Sequence, residues 1–254
     1  MTLERGDLDN PWARSRAAGW VRDVLLLGVL GPLIDLYTRG SVLGREQLAA
    51  LQPPVLLVAN HSSHMDTPVI LRALPKAWRR RTAVAAAADY FYRVPWLAHV
   101  VSLAFNTVPV RRKGEGAAVD SASELARRLD EGWSLLIFAE GTRSRDGTVG
   151  RLRSGAAVLA AEHGLAIVPV HVSGTHAVMP PGRSWMRRAR GRLAGGRQPI
   201  AVHFGPPVRA REGEHRTEVM ERVRQFFDAS GAVTTPDKRI DAGSASSAPP
   251  RSAA

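Results

Sequence analysis

The stretch Val55-Leu56-Leu57-Val58-Ala59-Asn60-His61-Ser62-Ser63-His64-Met65-Asp66-Thr67-Pro68 decides the fold class. Its opening apolar run has the length of a strand, and Thr67-Pro68 supplies an N-cap and a first-turn proline for a helix reaching about Leu74. A strand that passes through a polar loop into a helix is the repeating unit of an α/β protein. Working outward, Thr82–Ala86, Thr107–Val110, Ser134–Phe138, Ile167–Val170 and Ile200–Phe204 read as further strands. Ala117–Leu129, Ser154–Glu162 with Gly164 as its stop, and Arg216–Ala229 read as helices. The expected architecture is a single α/β domain with a mostly parallel or mixed sheet flanked by helices.

Composition agrees and removes several classes. The 254 residues suit one large domain, and 44% hydrophobic against 23% charged residues is ordinary globular chemistry. Cysteine is absent, which excludes disulfides, thiol nucleophiles and thiolate metal sites. The net charge of +12 is carried by arginine, since Lys76, Lys113 and Lys238 are the only lysines. Such a balance calls for an anionic partner: nucleic acid, an anionic lipid surface or a phosphorylated substrate.

The ends of the chain differ from its middle. The apolar run Val24–Ile34 is shorter than the roughly 18 residues a simple spanning helix wants. Trp12, Trp20, Arg14, Arg16 and Arg22 precede it as an aromatic and cationic rim, so residues 1–50 are expected to form a helical segment lying in a membrane interface or covering the core. Glu4, Asp7 and Asp9 and the lack of a small-residue cleavage pattern argue against a cleaved signal. Residues 51–229 are assigned to the folded domain, and 230–254, rich in Gly, Ala, Ser and Pro, to a disordered tail. Arg183-Ser184-Trp185-Met186-Arg187-Arg188-Ala189-Arg190-Gly191-Arg192, continued by Arg197, is a second basic segment suited to lipid head groups or to a nucleic-acid backbone. No recognised nucleic-acid motif accompanies it, so nucleic acid is not expected as a partner.

The chemistry starts in the loop after the first strand. Asp66, at the head of the following helix, can turn back to hold one ring nitrogen of His61, leaving the other to take a proton from a hydroxyl. A structural cap-and-neighbour pair explains the same two residues. The second cluster is Phe138-Ala139-Glu140-Gly141-Thr142-Arg143-Ser144 after an apolar strand. Gly141 permits close approach of backbone amides to an anion, and Thr142 and Arg143 can donate to phosphate oxygens. Glu140 is assigned either a substrate hydroxyl or the holding of Arg143. Phe105-Asn106-Thr107-Val108-Pro109-Val110-Arg111-Arg112 offers further cations, Arg111 or Arg112.

Taken in order, these segments resemble the glycerolipid acyltransferases of the lysophosphatidate acyltransferase type. Asn60-His61 with Asp66 is similar to the first family block and Val108-Pro109-Val110-Arg111 to the second. Phe138–Ser144 is similar to the third block, and Ile167-Val168-Pro169-Val170 to the fourth, so that the resemblance covers about Pro53 to Gly205. Ala139 stands where the family has proline, and the second block lacks the usual Gly-x-x-Phe-Ile spelling. The resemblance implies transfer of a fatty acyl group from an acyl thioester, acyl-CoA or acyl carrier protein, to a lysophospholipid hydroxyl, with 1-acyl-glycerol-3-phosphate the first choice. It further implies His61 as general base, Asp66 as its orienter, and Arg111, Glu140, Gly141, Thr142 and Arg143 around the acceptor phosphate. Backbone amides near Val168, Pro169 and Val170 become candidates for the oxyanion, although Pro169 has no N–H. No metal or other cofactor is expected. Lack of a Gly-x-Ser-x-Gly elbow and of cysteine points to direct attack by the acceptor. Attachment to the cytoplasmic face of the cell membrane, peripheral or monotopic, completes the expectation. Another lipid acceptor, thioester hydrolysis and nucleic-acid binding are the competing readings, and oligomeric state leaves no signature in the sequence.

Overall fold

A computed structural model describes residues 11–87, 95–110, 117–189 and 196–234. In chain order its elements are α1 (Arg16–Tyr37), β1 (Thr38–Leu43), α2 (Glu46–Ala49), β2 (Leu56–Ala59), α3 (Asp66–Ala73), α4 (Lys76–Arg80) and β3 (Thr82–Ala87). Then follow α5 (Pro95–Phe105), β4 (Thr107–Val110), α6 (Ala117–Asp130), β5 (Ser134–Phe138), α7 (Gly155–Glu162), β6 (Ile167–Ser173), α8 (Thr175–Val178), β7 (Gln198–Phe204) and α9 (Arg216–Ala229).

The strands form one seven-stranded sheet in the order β1-β7-β6-β2-β5-β3-β4. Every neighbour pair is parallel except β6 with β7, which makes the sheet mixed. Central β2 is buried at all four positions, as a strand covered on both faces must be. Its side chains alternate between two cores. Leu57 and Ala59 join Leu26, Ile70, Val168 and Val170 on one side. Leu56 and Val58 join Leu125, Leu135, Ile167 and Phe227 on the other. The chain builds outward to β3 and β4 on one flank, returns through β5, and crosses β2 to start the other flank at β6. That reversal opens a crevice at the carboxyl ends of β2, β5 and β6, the usual place for a ligand in open α/β sheets.

The N-terminal segment differs from the expectation. Residues 16–37 form one helix, long and apolar enough to cross a membrane by length and composition, whereas the uncharged run read from sequence is only its middle. Its central Val24–Leu30 winds in wide π turns. Pro32, just beyond, cannot donate to the helix ladder and crowds the carbonyl four residues back, and widening the turns relieves both. One face is buried, with Leu26 and Ile34 in the core. The other exposes Trp20, Val24, Leu27 and Leu36. Asp23 pairs with Arg79 at 2.8 Å and Arg80 at 2.6 Å, and Asp35 with Arg72 at 2.9 Å, so both acids of the helix are bound to the domain. Arg22 donates to the carbonyls of Leu103 at 2.9 Å and Ser102 at 3.5 Å in the last turn of α5, which ties α1 to that helix. The segment also contributes β1, which was not foreseen and joins the sheet beside β7.

At the other end, the expected disorder does not begin at residue 230. Ser230 Oγ lies 2.9 Å from His171 Nδ1, and Val149 N donates to Val233 O at 2.7 Å. Residues 235–254 of that expectation lie outside the described residues, as do 1–10 of the N-terminal one. In the basic segment Arg187 donates to Ala177 O at 2.6 Å, and Trp185 donates through Nε1 to the Tyr37 hydroxyl at 3.2 Å. The segment therefore packs against the C-terminal end of α1; Arg190 and Arg192 are outside the described residues.

Candidate active site

The loop that leaves β2 is pinned before it turns. Asn60 is buried and binds the Val172 backbone twice, its amide donating at 2.9 Å and its carbonyl accepting at 2.7 Å. This locks the end of β2 to β6 and delivers His61 to the crevice. Helix α3 then begins at Asp66, one residue before the Thr67 cap read from sequence. The fully buried Asp66 carboxylate is a hub: Oδ2 accepts from Ser62 N at 2.7 Å and Ser63 N at 2.8 Å and lies 2.9 Å from His61 Nδ1. Its Oδ1 accepts from the Thr175 hydroxyl at 2.5 Å. The imidazole is further held by Phe138, stacked with a centroid separation of 3.9 Å and 20° between planes. With Nδ1 committed to Asp66, Nε2 is the nitrogen left for a substrate.

The second cluster meets the first through backbone. Ser144 N donates to His61 O at 2.7 Å and Ala139 N to Ala59 O at 3.2 Å. Ala139 thus uses an N–H that the proline of the family pattern would lack. Glu140 is engaged by two backbone donors that the sequence does not mark. Its Oε1 accepts from His61 N at 2.8 Å and its Oε2 from Gly150 N at 2.9 Å, so the side chain fastens the His61 loop to the turn behind it. Burial pushes its carboxyl above the ordinary carboxylate value, against the downward pull of the two amides. Gly141 is required for shape: at φ +70° a side-chain Cβ would sit 2.7 Å from Arg153 Nε. Its N–H donates to Phe138 O at 3.0 Å, which closes the turn.

His61, Thr142, Arg143 and Arg153 line a common cavity of about 1120 Å³. The rest of its wall is largely apolar, from Leu33 and Ile34 of α1 to Val84 of β3 and Leu125 of α6. His64 also faces it, and burial, together with the positive fields of Arg143 and His61, lowers its pKa to about 4. His64 is therefore neutral near pH 7. Val168, Pro169 and Val170 are not brought to this cavity. They lie in β6 paired with Leu57, Val58 and Ala59, both valines are buried in the core, and Pro169 O accepts from Gly205 N at 2.8 Å. A strand interior whose groups serve neighbouring strands cannot present donors to a developing oxyanion. Arg111 and Arg112 lie outside the described residues; β4 ends at Val110, which lines the cavity.

Thr175 and Arg153 were missed from sequence. Thr175 follows Gly174, whose φ of +81° and close approach to β7, 2.1 Å from a built Cβ to Pro199 O, turn the chain sharply after β6. The available signal was position: Thr175 comes just after the carboxyl end of a strand beside β2, where open sheets collect site residues. Among the described residues, no group of three or more His, Asp or Glu side chains is arranged to hold a metal ion.

Comparison with known proteins places this geometry. The chain is 31% identical to a chloroplastic 1-acyl-sn-glycerol-3-phosphate acyltransferase of Arabidopsis thaliana over 144 residues, 56% of this chain and 38% of that protein. It is 29% identical to a 1-acyl-sn-glycerol-3-phosphate acyltransferase of Cocos nucifera over 88% of this chain and 64% of that one. A lyso-ornithine lipid O-acyltransferase of Pseudomonas aeruginosa is 26% identical over 68% of this chain and 61% of its own. The matches thus span between about two fifths and two thirds of these relatives' lengths. The crystal structure of the 1-acyl-sn-glycerophosphate acyltransferase PlsC from Thermotoga maritima superposes with a TM-score of 0.59 over 92% of this chain and 86% of that one, at 23% identity, a likeness of fold. A family model described as Acyltransferase matches residues 40–173. That span exceeds half the chain and contains both the His61–Asp66 pair and the Glu140–Arg143 turn, and on it the chain belongs to the acyltransferase family.

Proposed function

We propose that the protein transfers a fatty acyl group from an acyl thioester to the free hydroxyl of a lysophospholipid, with 1-acyl-glycerol-3-phosphate as acceptor and phosphatidate as product. The observation that carries this reading is the placement of His61, held by Asp66 at 2.9 Å, on the wall of an apolar cavity that Arg143 also lines. An apolar space of about 1120 Å³ suits acyl chains, and a guanidinium within it suits a phosphate.

In the proposed reaction His61 Nε2 takes the proton of the acceptor hydroxyl as its oxygen bonds to the thioester carbonyl carbon. Asp66 fixes the ring and stabilises the imidazolium. The tetrahedral intermediate then expels the thiolate, breaking the C–S bond, and the thiolate leaves as thiol with the proton from His61. Arg143 binds the acceptor phosphate, Thr142 stands beside it in the lining, and Arg111 shares the charge by the family resemblance. Glu140 and Gly141 shape the loop. The donor is acyl-CoA or acyl carrier protein.

Attachment to the cytoplasmic face of a membrane belongs to the same proposal. Helix α1 exposes Trp20, Val24, Leu27 and Leu36 along one face while its two acids pair with the domain. Such a helix suits lying in an interface beside the domain. The test is to incubate the purified protein with labelled acyl-CoA or acyl carrier protein and a panel of acceptors, including lysophosphatidate and lyso-ornithine lipid. Phosphatidate formed only when lysophosphatidate is added supports the reading. Free fatty acid released at the same rate without any acceptor identifies a hydrolase instead.

A further inference from the structure

Arg153 lines the cavity beside His61, Thr142 and Arg143, yet the proposed reaction gives it no part. Its backbone is rooted where β5 ends, Arg153 N donating to Ala139 O at 2.9 Å. From there the side chain folds over the next turn. A Cβ built on Gly141 would meet Arg153 Nε at 2.7 Å, Cζ at 3.0 Å and Cδ at 3.2 Å, its three nearest neighbours. The guanidinium therefore rests on the backbone of the turn that carries Thr142 and Arg143, in space that a glycine leaves open. Among the described residues this guanidinium has no hydrogen-bond or ion-pair partner. Glu140, the acid of the same turn, gives its two oxygens to the amides of His61 and Gly150. Glu162, the one carboxylate among the described residues of the cavity wall, stands at the far end of α7. Arg153 is exposed while lining the cavity, which places it at the mouth, where the head group of a lipid belongs when its chain occupies the apolar wall.

A phosphomonoester carries roughly 1.5 to 2 negative charges at pH 7, and a phosphodiester only one. The added charge calls for a second cation, and Arg meets phosphate oxygens through paired N–H donors. Arg143 comes two residues after Gly141, and Arg153 rests on Gly141, so both cations enter the cavity beside one turn. That turn is bonded to the His61 loop through Ser144 N, which donates to His61 O at 2.7 Å. A guanidinium already lying on the turn needs little further ordering when a phosphate arrives. We propose that Arg153 is a second binding residue for the acceptor phosphate, acting with Arg143 to select a dianionic phosphomonoester over a phosphodiester or an uncharged head group. This role deepens the proposed function and rests on it, since it names what distinguishes the acceptor of that reaction.

The test is kcat/KM for lysophosphatidate at pH 7.5 and pH 5, with one acyl donor, for the parent, Arg153→Gln and Arg153→Lys, each confirmed as folded by circular dichroism. The second pKa of a phosphomonoester is about 6, so the acceptor is mostly dianion at the higher pH and mostly monoanion at the lower. His61, His64, Arg143, Glu162 and Arg216, the other charged or titratable groups of the described wall, are common to all three proteins, and their titration cancels in the ratio of variant to parent. At pH 7.5 Arg153→Gln should fall about tenfold, the lower end for a charge-assisted contact because the residue is exposed, and at pH 5 it should stay within about threefold of the parent. Arg153→Lys keeps the charge and should recover most of the loss, and the donor KM should stay at the parental value in both variants. A loss equal at the two pH values, or one carried by the donor KM, would show that the side chain only supports the turn and would overturn the role. Parental kcat/KM in Arg153→Gln at pH 7.5 would overturn it as well, while leaving the proposed function standing. A parent that acylates another lyso-acceptor and forms nothing from lysophosphatidate would instead remove the acceptor named in the proposed function, and the role of Arg153 with it.

Discussion

Replacing Thr175 by Val removes one hydroxyl and preserves the side chain's shape, which makes it a sharp probe of the Asp66 hub. The hydroxyl donates to Asp66 Oδ1 at 2.5 Å, while the other three contacts of the carboxylate all fall on Oδ2. Both Thr175 and Asp66 are fully buried. Loss of a hydrogen bond to a charged group in such a place costs roughly 1.5–3 kcal/mol. At about 2–4 °C per kcal/mol for a domain of this size, Tm should fall by about 3–12 °C. The carboxylate, held on one side only, is freer to rotate away from His61, and kcat should fall by about tenfold with the KM values for donor and acceptor little changed. Thr175→Ser retains the donor and should restore most of both quantities. The assays are thermal unfolding by circular dichroism and initial rates of acceptor-dependent product formation. A Val variant with parental Tm and kcat would refute the idea that Asp66 is positioned from this side.

Other residues give separable outcomes. Arg143→Ala should lower kcat/KM for the phosphate-bearing acceptor by about 10- to 150-fold and leave the donor KM near the parent; a raised donor KM with an untouched acceptor KM would reverse its role. Glu140→Gln replaces an acceptor for two backbone amides with a group that can accept only through one atom, so denaturation midpoints and kcat should fall together, by about 1.5–3 kcal/mol in stability, and an unaffected rate would detach Glu140 from the His61 loop. For His64 the folded pKa of about 4 lies below the ordinary 6.5, so the unfolded chain takes the proton first on acidification. Its contribution to stability is complete above pH 6.5 and is lost as the pH falls toward 4; urea unfolding at pH 7, 5.5 and 4.5 should show a shallower acid loss in His64→Gln, and an identical loss would contradict the assignment.

Burial on both faces is what made the centre of the fold legible. Strands β2, β5 and β6 stand out as apolar runs because helices cover them on each side. Strand β1 did not, since only Thr38 of its six residues is buried and Gly40 interrupts it. Helix α5 escaped for the opposite reason: Pro95–Phe105 is so uniformly apolar that it shows little helical periodicity. The His61–Asp66 pair was readable because a helix start can return a carboxylate to a loop a few residues before it. Thr175 was not, being 109 residues from the carboxylate it supports. The fastening of the loop by Glu140 was not readable because the amides that use its oxygens are unmarked in sequence, one of them 79 residues away in His61. Backbone donors carry no side-chain signature. Similarly, the fourth block was legible as a motif, yet its residues turned out to be the β6 wall that holds β2 in place.

The central claim is that His61 accepts the acceptor's proton. Its most direct test is kcat for acceptor-dependent acyl transfer by the parent, His61→Ala and His64→Ala, each confirmed as folded. Loss of a general base should lower kcat by about 10²–10⁴-fold in His61→Ala, while His64→Ala, which removes a neutral ring from the same cavity wall, should remain within a few fold of the parent. Equal losses in the two variants, or transfer by His61→Ala at the parental rate, would contradict the account.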